Sequence, residues 1–152
     1  MKRILLASFG MMSWTIDAKA DPVAWMDRCL QEAANQKNDA VKHDRIDAAH
    51  CARTILNYCT FDVTSDVCFK TLQTEYDARS ESLLSAMPTS IEAAEVLQKL
   101  YLKRLNVVQN ISKVLICTSP KSQQTCDAEH ALQRYQLAQT LPKFIANMED
   151  QK

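Results

Sequence analysis

Apolar residues recur every three or four positions along most of the chain, which is the spacing of one face of an α-helix. The clearest case is residues 90–116, where one side is formed by Ala94, Leu97, Tyr101, Leu105, Val108, Ile111 and Leu115. Similar stripes predict helices over residues 22–37, 44–58, 65–87 and 123–141. Short polar or proline-containing segments separate these stripes. The pattern predicts an all-α fold, an antiparallel bundle of about five helices.

Glycine is missing from the predicted helical region, because the single glycine of the chain is Gly10. Tight hairpins and phosphate-binding loops need glycine where φ is positive or where a ligand approaches the backbone closely. Nucleotide-binding loops and the nucleophile turn of hydrolases are therefore excluded. We expect a helix-rich protein that is not an enzyme.

Residues 1–20 have the organisation of a secretory signal peptide. Lys2 and Arg3 precede a largely apolar stretch at 4–16, and Ala18-Lys19-Ala20 fits the small-x-small cleavage pattern. As a helix, that stretch spans only about 20 Å of a bilayer core of about 30 Å. We expect cleavage after residue 20, a single domain over 21–152, a periplasmic or secreted location in a bacterium, and no membrane span after cleavage.

Charge argues against a nucleic-acid partner. Residues 1–20 hold three of the 18 basic residues and one of the 18 acidic residues, so 15 basic and 17 acidic residues remain in the predicted mature chain. A nearly neutral domain lacks the basic field that attracts a phosphate backbone. The expected partner is another protein.

The six cysteines all follow residue 20, and an even number in a secreted chain predicts three disulfides. Fifteen pairings are possible. A Cys-x8-Cys segment occurs twice at corners between predicted helices, and two further cysteines lie eleven residues on either side of Ala40, the middle of the first turn. We predict the pairs Cys29–Cys51, Cys59–Cys68 and Cys117–Cys126. No Cys-x-x-Cys occurs, and we predict no cofactor.

One polar cluster has the spacing of a metal site. On a helix, His43, Asp47 and His50 stand at i, i+4 and i+7 and face one way. Two imidazoles and a carboxylate suit zinc, copper or nickel. A solvated helix face explains the same residues. His130 is a candidate general base, but the sequence places no nucleophile near it.

From Cys59 to about Leu141 the chain resembles the secreted lysozyme-inhibitor-like (LprI-type) family of small four-cysteine helical proteins. The resemblance rests on an early Cys-x8-Cys, on Tyr76 soon after it, and on a later glutamine–aromatic–arginine run formed here by Gln98, Tyr101 and Arg104. The family has tryptophan where Tyr101 stands, and its third cysteine follows the arginine sooner. The resemblance implies binding to a cell-wall hydrolase and assigns no site residue.

Two functional hypotheses follow. The first is a non-enzymatic secreted or periplasmic binding or inhibitor protein, directed against a cell-wall hydrolase. The alternative is a periplasmic metal-handling protein that uses the His43/Asp47/His50 helix face.

Overall fold

The computed structural model describes residues 21–36, 47–114, 117 and 122–149. These residues form no strand and seven helices: α1 (Pro22–Gln36), α2 (Ala48–Phe61), α3 (Ser65–Ser85), α4 (Glu95–Gln109), α5 (Ile111–Val114), α6 (Gln123–Ala138) and α7 (Leu141–Glu149). Five of the seven have 14 residues or more. The predicted all-α fold is confirmed. Within the described residues, no helix is long and apolar enough to cross a membrane. The predicted signal peptide, residues 1–20, lies outside the described residues.

Short oxygen-bearing side chains begin three of the long helices. The carboxylate of Asp21 accepts the Val23 N–H at 3.0 Å, directly before Pro22 opens α1. Ser122 accepts the Thr125 N–H at the start of α6. Asp47 does the same for α2, so that helix begins at residue 48 and not at the predicted residue 44. Each cap satisfies an N–H group that has no partner within its helix.

The predicted helix over 90–116 is shorter at both ends. It begins at Glu95 after a non-helical stretch, and Ala94 at its N-cap makes no side-chain bond. Asn110 ends it, and the side-chain amide of Asn110 bonds to the carbonyl and side-chain oxygens of Asn106. Asparagine side chains compete with the helical backbone in this way, which favours a turn. The short helix α5 follows that turn.

The core is centred on α3 and α6, which make the most extensive contact of any two helices. Tyr76 lies against Tyr135 with ring centroids 5.1 Å apart, and farther along Leu84 and Ala138 share one apolar cluster. The two helices therefore run in the same direction. The main cluster also takes residues from α1 and α2, and its fully buried members include Met26, Cys51, Cys59, Leu72, Tyr76, Ala128 and Leu132.

Three disulfides join the same pairs that the spacing predicts. Their Cα–Cα distances are 5.8, 5.5 and 5.8 Å for Cys29–Cys51, Cys59–Cys68 and Cys117–Cys126. The first holds α1 against α2, and the second closes the corner between α2 and α3. The third joins Cys117 to the first turn of α6.

A charged network joins α1 to α3 beside the core. Arg79 donates to both carboxylate oxygens of Asp27, at 2.5 and 3.0 Å, and to Glu75 at 2.8 Å. The hydroxyl of Tyr76 donates to Asp27 at 3.1 Å. The Arg79 hydrogen bonds hold the pKa of Asp27 below its ordinary value, and burial raises the pKa of Tyr76. This network positions α1 because Asp27 of α1 accepts hydrogen bonds from two side chains of α3, Tyr76 and Arg79.

Asp27→Asn is expected to lower the free energy of unfolding by about 1–2 kcal/mol at neutral pH, because it removes a charged hydrogen-bond acceptor from Arg79 and Tyr76. This expected loss is at the lower end of the range for hydrogen bonds to charged groups. The Asp27 and Arg79 side chains are 43% and 29% exposed, so solvent screens their attraction. A depressed carboxylate pKa stabilises the fold above the ordinary value of 3.8, and that stability is lost as pH falls through the folded pKa.

Urea unfolding between pH 2 and 7 checks this expectation, with the exposed Glu32→Gln on the same helix as control. The wild type and Asp27→Asn should converge as the pH falls below 4. A difference that is constant across the range would contradict the role given to the Asp27 charge.

Candidate functional site

Four large apolar side chains are exposed together at the corner between α2 and α3, and we call them the corner patch: Tyr58, Phe61, Val63 and Val67. Their exposed fractions are 41%, 88%, 102% and 65%, respectively. Side chains of this kind usually enter a core. Contiguous exposed apolar surface is typical of a binding surface.

The disulfide under the corner explains why these side chains point outward. Cys59 and Cys68 are both buried, at 0% and 6% exposure, and their bond holds the two helix ends together. Only Asp62, Val63 and Thr64 connect the helices, so the chain between the cysteines reverses over a very short path. The two cysteines occupy the buried side of the corner, and Phe61, Val63 and Val67 lie on its exposed side.

Hydrogen bonds within the turn keep its backbone in place. The Asp62 carboxylate accepts the backbone N–H of Thr64 at 2.6 Å and its hydroxyl at 2.7 Å. The backbone N–H of Ser65 donates to the Asp62 carbonyl at 3.1 Å. Bonds from the Thr64 hydroxyl and N–H hold the pKa of Asp62 below its ordinary value, so this carboxylate stays negative in mild acid.

The corner patch forms one wall of a concave surface of about 690 Å³. The rest of the lining comes from the start of α1, the turn and α3: Asp21, Pro22, Asp62, Thr64, Cys68 and Thr71. Two carboxylates, Asp21 and Asp62, therefore border an apolar hollow. Such a surface accepts an apolar group and favours a positive charge at its edge.

The residues of the predicted metal site are only partly described. Asp47 precedes α2, and its carboxylate accepts the His50 N–H at 2.7 Å as a helix cap. The i, i+4 relation of the prediction requires Asp47 within a helix, which the structure does not show. His50 is exposed, and His43 lies outside the described residues. The metal site at His43, Asp47 and His50 stays a prediction.

A different histidine lies against a disulfide. The Nε2 atom of His130 is 3.6 Å from the Sγ atom of Cys117, and Cys126 completes a group whose ligand atoms all lie within 4.8 Å of one another. All three residues are half-buried. Sequence spacing alone did not reveal this group. The signal that could have revealed it has two parts: Cys126 and His130 are four residues apart on one helix, and Cys126 is bonded to Cys117, nine positions earlier.

A polar cavity of about 260 Å³ adjoins His130. Among its lining residues, Arg134 of α6 forms ion pairs with Asp77 at 3.6 Å and Glu81 at 2.5 Å, both on α3. Burial raises the pKa of Asp77, against the attraction of Arg134. The Nε atom of Arg134 is buried without a hydrogen-bond partner. The cavity is thus a polar recess beside His130, which contacts the third disulfide.

Fold and surface define the class of this protein as an all-α, disulfide-bonded helical protein with an exposed apolar corner. The chain matches no protein-family model, and comparisons with curated proteins and with solved structures find no similar one.

Proposed function

We propose that this protein is a non-enzymatic binding protein of an extracytoplasmic compartment and that the corner patch is its binding surface. The single observation that carries the proposal is the exposure of Phe61 and Val63, at 88% and 102%. Disulfides form and persist in oxidising compartments, so the three disulfides support a periplasmic or secreted location.

Rigidity makes the corner patch suitable for binding. The Cys59–Cys68 disulfide and the Asp62 hydrogen bonds hold the turn before a partner arrives. A preorganised surface loses less conformational entropy on association, which leaves more of the contact energy as affinity. Aromatic side chains concentrate the binding energy of protein interfaces, and Phe61 and Tyr58 are such side chains.

The partner that fits the corner patch is a protein that presents an apolar side chain flanked by lysine or arginine. The apolar side chain fills the hollow beside Phe61 and Val67, and the basic groups approach the Asp21 and Asp62 carboxylates. Complementary charge at the rim steers association and rejects acidic partners. The resemblance to secreted lysozyme-inhibitor-like proteins supports a cell-wall hydrolase as that partner, with inhibition as the outcome of binding.

The test measures binding of a purified lysozyme by calorimetry, together with its hydrolysis of cell walls. Phe61→Asp is expected to weaken binding by about 30-fold or more, since losing a central aromatic anchor costs about 2 kcal/mol or more. Val63→Asp is expected to weaken it as well. Val96→Asp is the matched control, because Val96 is 76% exposed on α4 and lies outside the corner patch.

Equal binding by all three variants and the wild type would contradict the corner patch as the binding surface. Failure of lysozyme to bind the wild type would remove that hydrolase as a partner. Sedimentation of the protein alone tests the other occupant, a second copy: dimerisation that Phe61→Asp abolishes would assign the corner patch to self-association.

A further inference from the structure

We propose that Cys117, Cys126 and His130 form a redox-gated metal site that binds one zinc ion after the Cys117–Cys126 disulfide is reduced. In the oxidised protein the two sulfur atoms are bonded to each other and are not thiolate ligands. Reduction releases two thiols beside an imidazole that is already in place. This site is formed by two residues of α6 and by Cys117, which precedes that helix. It lies apart from the corner patch and does not depend on the proposed binding function.

The distances match those of a zinc site. Tetrahedral zinc with Zn–S of about 2.3 Å and Zn–N of about 2.0–2.1 Å places sulfur and nitrogen about 3.6 Å apart. The Sγ atom of Cys117 and the Nε2 atom of His130 are 3.6 Å apart. The two sulfur atoms need to separate to about 3.8 Å, which rotation of the two cysteine side chains supplies once the bond is broken.

The helix positions two of the ligands. Cys126 and His130 are four residues apart on α6, so their side chains lie on the same face of that helix. Cys117 reaches the same place from outside the helix, with a Cα–Cα distance of 5.8 Å to Cys126. Two thiolates and one imidazole are ligands that zinc takes readily, with a fourth position left for water.

The polar cavity beside the site supplies that fourth position. His130 lines this recess of about 260 Å³ together with Asp127 and Ser112. A recess of this size and polarity admits water. Zinc bound to the three ligands therefore has a route to solvent on the side of the cavity.

Accessibility distinguishes this disulfide from the other two. Cys29, Cys51, Cys59 and Cys68 are all buried, with exposures of 8%, 0%, 0% and 6%. The cysteines of the third disulfide are half-buried. Thiol–disulfide exchange requires a thiolate to reach a sulfur atom, so an external dithiol reduces Cys117–Cys126 before the others.

The chemistry balances in two steps. A dithiol reductant transfers two electrons and two protons to the disulfide, becomes a disulfide itself, and leaves Cys117 and Cys126 as thiols. Zinc then displaces one proton from each thiol and accepts the lone pair of neutral His130, so binding releases two protons. A disulfide oxidant that takes two electrons from the two thiolates is itself reduced to two thiolates, re-forms the Cys117–Cys126 bond and thereby releases the metal.

The experiment uses the whole purified chain, reduced with limiting dithiothreitol that is then removed, and alkylation with peptide mass mapping identifies the opened disulfide. Zinc affinity is measured by chelator competition, and cobalt serves as the optical probe of thiolate ligation. We expect one zinc per reduced chain and none at this site in the oxidised chain. Losing even an outer-shell partner costs about 10–100-fold in metal affinity, so His130→Ala should weaken zinc binding by about 100-fold or more.

Gln124→Ala is the control, since Gln124 is an exposed residue of the same helix and glutamine is not among the usual zinc ligands. It should leave zinc affinity unchanged. If circular dichroism shows that His130→Ala loosens α6, His130→Asn replaces it in the affinity measurement. Cys126→Ser should abolish the cobalt–thiolate band. The proposal is overturned if the reduced chain takes up no zinc, if His130→Ala binds as tightly as the wild type, or if alkylation finds Cys59 and Cys68 opened first.

Discussion

Leu132→Ala is expected to lower the free energy of unfolding by about 2–5 kcal/mol, the range for truncating a buried leucine. Leu132 of α6 is fully buried in the main cluster, where it packs with residues of α3 such as Leu72. The loss combines the transfer energy of the removed methyl groups with the cavity that the rigid α3–α6 contact leaves unfilled. Against a typical total of about 5–15 kcal/mol, this loss lowers the thermal midpoint markedly.

Denaturant unfolding of the oxidised protein measures this effect, and Leu137→Ala on the same helix is the control. Leu137 is 37% exposed, so its truncation removes less buried surface and should cost well under half as much. Similar losses for both leucines would show that the α3–α6 contact is not the centre of the core.

Removing the Cys29–Cys51 disulfide has the second large expected effect. The cysteines are 22 positions apart, and the chain-entropy relation gives about 3.4 kcal/mol for a loop of that length. Replacing both cysteines with alanine releases this constraint on the unfolded chain. Because α1 contacts the rest of the core through α2 and α3, the loss should also loosen α1 from the bundle.

The double alanine variant of Cys59 and Cys68 is the matched comparison. That pair is separated by 9 positions, for which the same relation gives about 2.6 kcal/mol. In urea unfolding, the free energy of unfolding of the Cys29–Cys51 variant should therefore be about 0.8 kcal/mol lower than that of the Cys59–Cys68 variant. The reverse order would mean that contacts in the folded state, and not loop length, determine the value of each disulfide.

The two disulfide variants also separate stability from binding. Opening Cys59–Cys68 frees the turn that holds the corner patch, so affinity for the partner should fall even where the protein stays folded. Opening Cys29–Cys51 leaves that turn intact. If the corner patch is the binding surface, we therefore expect the corner disulfide to affect both binding and stability, and the disulfide between α1 and α2 to affect stability alone.

The sequence by itself determined the helical fold and the cysteine pairs. An apolar repeat of 3.6 residues indicates which face of a helix is buried, and it can be recognised without knowing which other helices pack against that face. Cysteine pairs close in sequence are restricted by the turns between them, so counting from Ala40 was enough for Cys29 and Cys51.

Only the tertiary structure decided which apolar residues stay exposed and which distant residues meet. Val63 and Val67 have the same hydrophobicity as core valines, and their exposure follows from the Cys59–Cys68 disulfide that holds the corner outward. Asn110 ended α4 through bonds to Asn106, although the apolar stripe continues past it. Cys117 and His130 are 13 positions apart, and their contact depends on how the chain enters α6, a property of packing that periodicity does not encode.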